Sequence, residues 1–502
     1  MTARSADERV RELDTSRLAI AGVAFAVAAV AALDETLGTS DRPTTAVIWG
    51  ALALGGYAAC LLCFAGAARW AGLGLARWKF GAWILLWYLA AFGIASVTWS
   101  QRPTVGVPGE IAVSSVLRAL WLVAVGMTAW AIGYFIGPSQ LARGLATQGM
   151  GTLRGRFAPE VRSLAAPWIL YAIGIGARLA STATTGRLGY VGDAAAAVST
   201  ASGYQGILSA LSLCAPLAVA AASLQVFRER LPGARTTLAV LFLVELAFGA
   251  ATGGKQSFVI AVLAVVIPFA AARRRPPAVA LIAFALIFLA VVIPFNRAYR
   301  NTVRQGSVTL APGQAINAAP GILRQVVTGQ SLVTLLPDSL DYLAQRIREI
   351  DSPAIIVQRT PGQIPFRSPL QLVEAPIAGM VPRAIWPGKP IVVTGYRFSQ
   401  EFFGLPSTVY TSTADTEIGG LYLYGGWIPV IVGMFLLGCG VRLLDDVLDV
   451  RANPHAIFLV LLIFPSLVKG EDDWESLLAS VPATLFIWLL ATALTFRARR
   501  RA

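Results

Sequence analysis

The chain has 502 residues, of which 56% are hydrophobic and 14% are charged. This composition excludes an ordinary water-soluble enzyme and an intrinsically disordered chain. The formal net charge of +14 invites a nucleic-acid interpretation, but the distribution of the basic residues along the chain explains it better as membrane topology.

Apolar runs recur along the chain, and a helix needs about 20 such residues to cross the roughly 30 Å hydrocarbon core of a bilayer. We therefore predict an all-α polytopic membrane protein with about 12 transmembrane helices. The predicted spans are 18–33, 46–68, 80–98, 111–136, 163–183, 206–227, 237–252, 256–272, 277–296, 421–443, 455–469 and 475–496. The first run lacks a convincing cleavage site, so we expect no cleavable signal peptide.

The basic residues follow the positive-inside rule, because they concentrate in alternate connecting segments. Predicted inner segments carry groups such as Arg273, Arg274 and Arg275. The cations of the short outer loops are Arg42, Arg102, Arg187, Lys255 and Lys469. This asymmetry predicts that both termini are cytoplasmic.

The predicted topology divides the chain into five parts. Residues 1–17 form a cytoplasmic N-terminal segment, 18–296 a bundle of spans 1 to 9, and 297–420 a large, partly helical extracytoplasmic loop. Spans 10 to 12 occupy 421–496, and 497–502 form a basic cytoplasmic tail.

Two helices are expected in the large loop. Asp338 and Ser339 are predicted to cap the first helix, which runs to about Ile350. Its apolar stripe of Leu340, Leu343, Ile347 and Ile350 suits a helix lying on the membrane surface. Ser368-Pro369 predicts the start of the second helix. The apolar face of that helix consists of Leu370, Val373, Ile377 and Met380.

Basic residues converge on the predicted outer side, where the topology rule disfavours them. These residues are Arg118, Arg178, Lys255, Arg297 and Arg300. A shared anionic ligand such as a diphosphate explains the convergence, and snorkelling of each side chain to lipid headgroups is the alternative. Glu245, inside the seventh span, is the expected partner of one of the buried arginines.

Arg383 and Lys389 lie in the proline-rich segment Pro382–Pro390 of the loop. Arginine offers a planar fork of donors that matches phosphate, lysine a compact charge, and the prolines predict a rigid turn. We predict that both residues bind the same diphosphate; ion pairing with carboxylates of the loop is the alternative.

The external carboxylates are the candidates for a general base. Asp415 and Glu417 immediately precede the tenth span and are the predicted catalytic residues. The other candidates are Asp338, Asp341, Glu349, Asp351, Glu374, Glu401 and the run Glu471-Asp472-Asp473. Such a run in a short loop is more typical of a solvated surface than of a metal site, so we predict no bound metal. The single histidine, His455, falls on the inner side.

Cys60, Cys63, Cys214 and Cys439 all fall within predicted spans. The spacing of Cys60 and Cys63 matches redox and metal motifs, but within an apolar helix we interpret them as packing residues.

Three stretches carry a resemblance to a known family. Gly253-Gly254-Lys255-Gln256 opens a span, and the turn Pro382–Pro390 contains Pro-Arg and Trp-Pro-x-Lys-Pro elements. The third stretch leads from Ile418-Gly419-Gly420 through Tyr424-Gly425-Gly426-Trp427 into the tenth span. With the span count and the large outer loop, they make the last half of the chain similar to the O-antigen polymerase (Wzy-like) group, within the wider set that includes O-antigen ligases. The ligase pattern has a histidine in the outer loop, and this chain departs from it, which favours the polymerase.

The resemblance implies a GT-C-type glycosyltransferase of polysaccharide biosynthesis in the plasma (inner) membrane, with its active site facing the outside or periplasm. It implies the joining of polyprenyl-diphosphate-linked oligosaccharide repeat units, with Lys255 and Arg383 stabilising the leaving diphosphate and no cofactor. The implied partners are the lipid-linked donor and acceptor, membrane lipids, a chain-length regulator and a flippase, without nucleic acid.

Two other functions stay open. A transporter or flippase for lipid-linked saccharides explains the many spans and buried cations but not the large outer loop. A polyprenyl-phosphate-sugar-dependent GT-C glycosyltransferase would place its acidic pair at Asp34 and Glu35, although the loop that follows is short for such an enzyme.

Overall fold

A computed structural model describes residues 43–65, 78–99, 111–189, 191–192, 204–273, 278–305, 308–329, 332–381, 385–386, 394–406, 413–471 and 474–498. Nine helical stretches in these ranges are long and apolar enough to cross a membrane. The protein is therefore an all-α membrane protein. The predicted span 18–33 and the acidic pair Asp34 and Glu35 lie outside the described residues.

The first half of the described chain supplies seven of these stretches. They are α1 (Pro43–Ala65), α2 (Phe80–Tyr88, continued by a π-helical turn and a 3₁₀ turn to Thr98), α3 (Val113–Ile136), the pair α6 (Gln205–Ser212) and α7 (Cys214–Leu224), α8 (Ala234–Thr252), α9 (Lys255–Arg273), and α10 (Ala278–Ile287) with α11 (Ile293–Val303). Between them lie α4 (Gln140–Arg156), strand β1 (Phe157–Val161) and α5 (Ala166–Thr185). Helix α5 covers the predicted span 163–183 but is not among the nine.

The second half begins with the elements that follow α11. They are the hairpin β2 (Arg304–Gln305) and β3 (Val308–Thr309), then α12 (Pro312–Gly329), α13 (Leu332–Ile347), α14 (Asp351–Arg359), α15 (Leu370–Met380) and α16 (Thr394–Phe403). After them come the short α17 (Glu417–Tyr422), the spans α18 (Trp427–Val447) and α20 (Trp474–Thr495), the shorter apolar α19 (Pro454–Lys469), and β4 (Phe496–Ala498).

Helices α3 and α18 form a close parallel pair at the centre of the bundle. A Cβ on Gly133 would lie 2.1 Å from the carbonyl oxygen of Phe435, and one on Gly438 would lie 2.1 Å from that of Trp130. Only glycine fits at either position, because the two backbones are in direct contact there. Small residues at helix crossings are how membrane helices approach closely.

The segments predicted to be cytoplasmic meet at one end of this bundle. Strands β1 and β4 pair there, and Arg143 forms an ion pair with Asp446. Asp445 is buried. Its carboxylate accepts hydrogen bonds from the backbone N–H groups of Phe80 and Gly81, at 2.6 and 3.1 Å, and from the Tyr134 hydroxyl, at 2.8 Å. Asp445 therefore caps the start of α2 and fixes it to the α3–α18 pair. Assignment of this end to the cytoplasm stays a prediction from the charge pattern.

The boundaries of the large loop differ from the prediction at both ends. The helix of span 9 continues through α11 to Val303, so Arg297 and Arg300 lie on a helix and not in a loop. Span 10 begins at Trp427, because residues 417–422 form a separate short helix before the glycine turn at Gly425 and Gly426, where φ is +141° and +79°. Both differences arise because the hydropathy of a segment does not reveal where its backbone turns.

One helix start in the loop was predicted wrongly and one correctly. Asp338 and Ser339 do not cap a helix; they lie within α13, which begins at Leu332 and ends at Ile347. The apolar sequence before Pro337 extends the helix in the N-terminal direction, and the proline is accommodated inside it. Helix α15 does begin directly after Ser368-Pro369, as the cap pattern predicted.

Candidate functional site

The site is built on the reversal between α8 and α9. Gly253 has φ +66°, a left-handed conformation that glycine adopts without a steric penalty. The reversal therefore ends α8 at Thr252 and starts α9 at Lys255 within three residues. A lysine at a helix N-terminus interacts unfavourably with the helix dipole. We therefore infer that Lys255 has a role other than stabilising its own helix.

Helix α11 holds this reversal in place. The Asn296 side-chain amide donates to the carbonyl oxygen of Gly253 at 2.5 Å, and the Arg300 guanidinium donates to the same oxygen twice, at 3.2 Å. The Tyr299 hydroxyl donates to the carbonyl of Ala251 at 2.7 Å. Lys255 and Arg297, which belong to different spans, are brought together by these contacts.

The two cations converge on one aromatic ring. The Lys255 ammonium lies 4.0 Å from the centre of the Tyr342 ring, and the Arg297 guanidinium lies 5.5 Å from it. Arg300 and Arg346 are close enough to act electrostatically on both Lys255 and Tyr342. We call Lys255, Arg297, Arg300, Tyr342 and Arg346 the basic-aromatic cluster.

The charges of this cluster act on the Tyr342 hydroxyl. Burial alone raises the pKa of Tyr342, but the neighbouring Lys255, Arg300 and Arg346 lower it below its ordinary value of 10.0. Cations near a tyrosine favour its anionic form. The cluster therefore carries a local excess of positive charge, which favours the binding of an anion.

A cavity of about 360 Å³ opens beside the cluster. Arg297 and Tyr342 line it, together with Asn301 of α11, Gln325 of α12, and Asp338 and Ser339 of α13. Its volume is at the lower end of the range of small-molecule sites. The cavity combines positive charge with several hydrogen-bonding side chains, which suits a compact polar anion.

Glu349 connects the cluster to a buried acidic region. Its side chain is 6% exposed, and burial together with Glu471 raises the pKa of this carboxyl well above its ordinary value, while Arg346 and Lys469 act in the opposite direction. Arg346 thus faces both the cluster and Glu349. A buried carboxyl with a raised pKa next to cations is the environment in which proteins tune general acids and bases.

Glu417 is the second buried carboxylate of this region, with 1% exposure. Its backbone N–H donates to the Gly470 carbonyl at 3.1 Å, and its own carbonyl accepts from the Trp474 indole at 3.1 Å. The Tyr88 hydroxyl lies 3.5 Å from its carboxylate, and Glu349 is also close enough to act on Tyr88. Glu417 and Glu349 therefore share the surroundings of one tyrosine.

The backbone before Glu417 is strained. Thr416 has φ +64° and ψ 157°, a region that residues with a side chain rarely adopt, and its hydroxyl accepts a hydrogen bond from the N–H of Gly419. Such strain costs on the order of 1–3 kcal/mol and is concentrated at functional sites. It places Asp415 and Glu417 in two different environments.

Asp415 lies beside a buried arginine. Burial alone lowers the pKa of Arg367, but the charges of Asp415 and Glu401 raise it above its ordinary value. Arg367 also donates to Glu401 at 3.1 Å. The charge of Asp415 is compensated by this arginine, whereas Glu417 lies beside Tyr88 together with Glu349, so of the two predicted catalytic residues Glu417 is the one connected to the cluster.

The predicted diphosphate-binding residues separate into three groups. The structure brings Lys255, Arg297 and Arg300 together in the cluster, and their binding of a diphosphate stays a prediction. Arg383 and Lys389 lie outside the described residues. Arg178 and Arg118 have other surroundings.

Arg178 forms a bidentate ion pair with Glu245, in which two guanidinium nitrogens lie 2.7 and 2.8 Å from the carboxylate oxygens. The same guanidinium lies over the Phe248 ring. This confirms the predicted partner for Glu245. Arg118 is exposed on α3, on the side of Tyr422. We therefore leave both arginines out of the candidate site.

Tyr342, Arg346 and Tyr88 were missed by sequence reasoning, and Glu349 was named without being preferred. One signal was present for the first two, because Tyr342 and Arg346 are four residues apart on an amphipathic helix and so share a face. Nothing in the sequence marked Tyr88, which becomes relevant only when α2 packs beside Gly470.

Comparison with known proteins identifies one family. A family model described as a domain of unknown function, DUF8712, matches residues 190–450, just over half of the chain. The chain belongs to the DUF8712 family. The matched region contains the basic-aromatic cluster, Glu349 and Glu417, whereas Tyr88 and Glu471 lie outside it. No curated protein and no solved structure matches the chain.

Proposed function

We propose that this DUF8712 protein is a membrane glycosyltransferase that joins polyprenyl-diphosphate-linked oligosaccharide units at the outer face of the plasma membrane. The proposal follows the resemblance to O-antigen polymerases. The observation that carries it is the convergence of Lys255 and Arg297 on Tyr342, whose side chain lines a cavity with several hydrogen-bonding groups, while Arg346 acts electrostatically on a buried carboxyl.

The cluster has a role in stabilising the leaving group. A hydroxyl oxygen of the acceptor glycan bonds to the anomeric carbon of the donor as the bond from that carbon to the diphosphate oxygen breaks. The electron pair of the broken bond departs with the diphosphate, so negative charge grows there. Lys255, Arg297 and Arg300 are held by α9 and α11 before the substrate arrives, and preorganised cations stabilise developing charge more than the ground state.

The proton of the acceptor hydroxyl needs a base on the same side of the protein. We assign this role to Glu349, because Arg346 connects it to the cluster and because the raised pKa of its carboxyl makes it a stronger base than an exposed glutamate. Glu417 then positions the Tyr88 hydroxyl beside that carboxyl. This assignment replaces Asp415 and retains Glu417 in a supporting role.

The test is chain growth by purified protein supplied with a defined lipid-linked repeat unit. Arg297→Gln should lower the rate about 10²–10³-fold, the usual effect of losing one donor to a developing anion. Arg324→Gln is the matched control, because Arg324 is exposed on α12 and does not line the cavity. Equal rates for the two variants would overturn the assignment.

Transport of lipid-linked saccharides is the second candidate, and one observation favours it. Glu349 and Glu417 are buried carboxylates beside a tyrosine in a membrane protein, and proton relays of transporters use such groups. Protein reconstituted in liposomes distinguishes the two functions. A transporter moves its lipid across the bilayer without lengthening the glycan, whereas a polymerase lengthens it.

A further inference from the structure

The cavity beside the basic-aromatic cluster also contains polar side chains that do not belong to the cluster. They are Asn301, Gln325, Asp338 and Ser339. Asn301 follows Arg297 by four residues on α11. Asp338 precedes Tyr342 by four residues on α13. At about 1.5 Å per residue, each therefore lies about 6 Å along its helix from a member of the cluster. The cavity thus presents an amide and a carboxylate about one helical turn from the cluster.

Asp338 is the exceptional residue of this lining, because it is a carboxylate in a cavity that otherwise favours anions. It is exposed, so a ligand in the cavity can reach it. Within the described ranges it forms no ion pair. A carboxylate accepts hydrogen bonds without donating them, and its charge repels a diphosphate. A ligand that fills the whole cavity must therefore carry negative charge at one end and hydrogen-bond donors at the other.

A sugar linked to a diphosphate has this distribution of groups. Its hydroxyls donate to a carboxylate, and the side-chain amides of Asn301 and Gln325 both donate and accept, as hydroxyls do. Two hydroxyls on adjacent ring carbons can donate to the two oxygens of one carboxylate, in the way that the two nitrogens of an arginine do. The cavity volume of about 360 Å³ is small for a ligand site. It therefore suits one monosaccharide with the neighbouring phosphates and not a longer saccharide.

We propose that Asp338, Asn301 and Gln325 bind the sugar attached directly to the lipid diphosphate, and that Asp338 selects a sugar with free hydroxyls on two adjacent ring carbons. This inference rests on the proposed function, because it requires the diphosphate at Lys255 and Arg297. The anomeric carbon of the bound sugar then lies between these cations and Asp338. Asp338 determines specificity and takes no part in the proton transfer.

Ligand binding tests the proposal without any measurement of chain growth. The full-length protein in detergent micelles is titrated calorimetrically with farnesyl diphosphate and with its glucosyl, galactosyl and N-acetylglucosaminyl conjugates. Each conjugate is compared with its 3-deoxy analogue, which has the same charge but no two adjacent hydroxyls. The wild type should bind at least one conjugate about 10- to 100-fold more tightly than its analogue, the usual effect of a hydrogen bond to a charged group.

Three variants locate the sugar and the diphosphate. Asp338→Asn keeps the size of the side chain and removes its charge, so it should weaken binding of that conjugate about 10- to 100-fold. Binding of farnesyl diphosphate should be equal or stronger in this variant, because a repelling charge is removed. Asp341→Asn is the matched control, since Asp341 lies on the same helix, accepts a hydrogen bond from Gln345 and does not line the cavity. Arg297→Gln should weaken the binding of both ligands.

The outcomes separate this inference from the proposed function. Weaker binding of the conjugate alone in Asp338→Asn, with Asp341→Asn unchanged, supports the sugar site. Equal affinity of the wild type for every conjugate and its 3-deoxy analogue overturns the sugar site, and so does an Asp338→Asn variant that changes both ligands equally or neither. Weaker binding of both ligands in Arg297→Gln would leave the diphosphate assignment intact in that case. Farnesyl diphosphate that does not bind, or that binds equally to Arg297→Gln, overturns the proposed function itself. The 3-deoxy comparison uses only the wild type, so it decides even if Asp338→Asn does not fold.

Discussion

Removal of one partner of the Arg178–Glu245 ion pair should destabilise the protein strongly. The Arg178 side chain is 14% exposed and that of Glu245 is 2% exposed, and both nitrogens of the guanidinium fork are bonded to the carboxylate. Arg178→Met leaves a buried glutamate without its cation. Glu245→Leu leaves a partly exposed arginine that keeps its contact with Phe248.

The magnitudes follow from burial. Breaking a buried pair by removing one partner costs about 3–5 kcal/mol, whereas replacing both partners by apolar residues is often neutral. Arg178→Met also loses the cation–π contact with Phe248, about 0.5–2 kcal/mol, so it should be the more damaging single variant. The double variant should be within about 1–2 kcal/mol of the wild type, which, against single costs of about 3 kcal/mol or more each, gives a coupling energy of at least about 4 kcal/mol.

The assay is reversible unfolding in mixed detergent micelles, followed by tryptophan fluorescence, for the wild type, both single variants and the double variant. The contact of the Tyr171 hydroxyl with Glu245, at 3.5 Å, is lost in both variants that lack Glu245 and so cancels in the coupling energy. Single variants that cost less than about 1 kcal/mol would contradict the structural role. If Arg178→Met then also stopped chain growth, Arg178 would belong to the substrate site as the sequence first suggested.

Three further predictions concern Asp445, Glu349 and Arg383. Tyr134→Phe removes the 2.8 Å hydrogen bond to Asp445 and should lower the free energy of unfolding by about 1.5–3 kcal/mol; an unchanged denaturant midpoint would count against the cap. The folded-state pKa of Glu349 is raised above 4.5, so its protonated form stabilises the fold at low pH and this contribution is lost as the pH rises through the folded-state pKa. In Glu349→Gln the free energy of unfolding should therefore decrease less as the pH rises above 4.5 than it does in the wild type. Identical pH profiles of the free energy of unfolding for variant and wild type would contradict this role of Glu349. Arg383→Ala should abolish chain growth without changing membrane insertion, and product of normal length would argue against its assigned role.

The membrane class was predictable from the sequence because hydropathy is a local property. Apolar runs of sufficient length give spanning helices wherever they fold, and the described spans start and end within a few residues of the predicted ones for most of the chain. The Ser368-Pro369 start of α15 was predictable for the same reason, since a cap and the helix that it opens are neighbours in sequence.

The composition of the site was only partly predictable. Lys255 and Arg297 meet because α11 bonds to the Gly253 turn, and this contact joins residues more than forty positions apart. The sequence grouped them by a common predicted depth, but predicted depth alone could not distinguish them from Arg178, which pairs with Glu245 of α8. The burial of Glu349 likewise depends on how α13 and α14 pack against α2 and α17, which no periodicity in the loop encodes.

Binding of a polyprenyl-diphosphate analogue tests the central claim most directly. A cryo-electron-microscopy structure of the protein in nanodiscs with this analogue should place diphosphate oxygens within about 3 Å of the Lys255 ammonium and the Arg297 guanidinium. The two cations would then face the ligand as well as the Tyr342 ring. A diphosphate located away from the cavity, with Lys255 and Arg297 still packed on Tyr342, would contradict the proposed function.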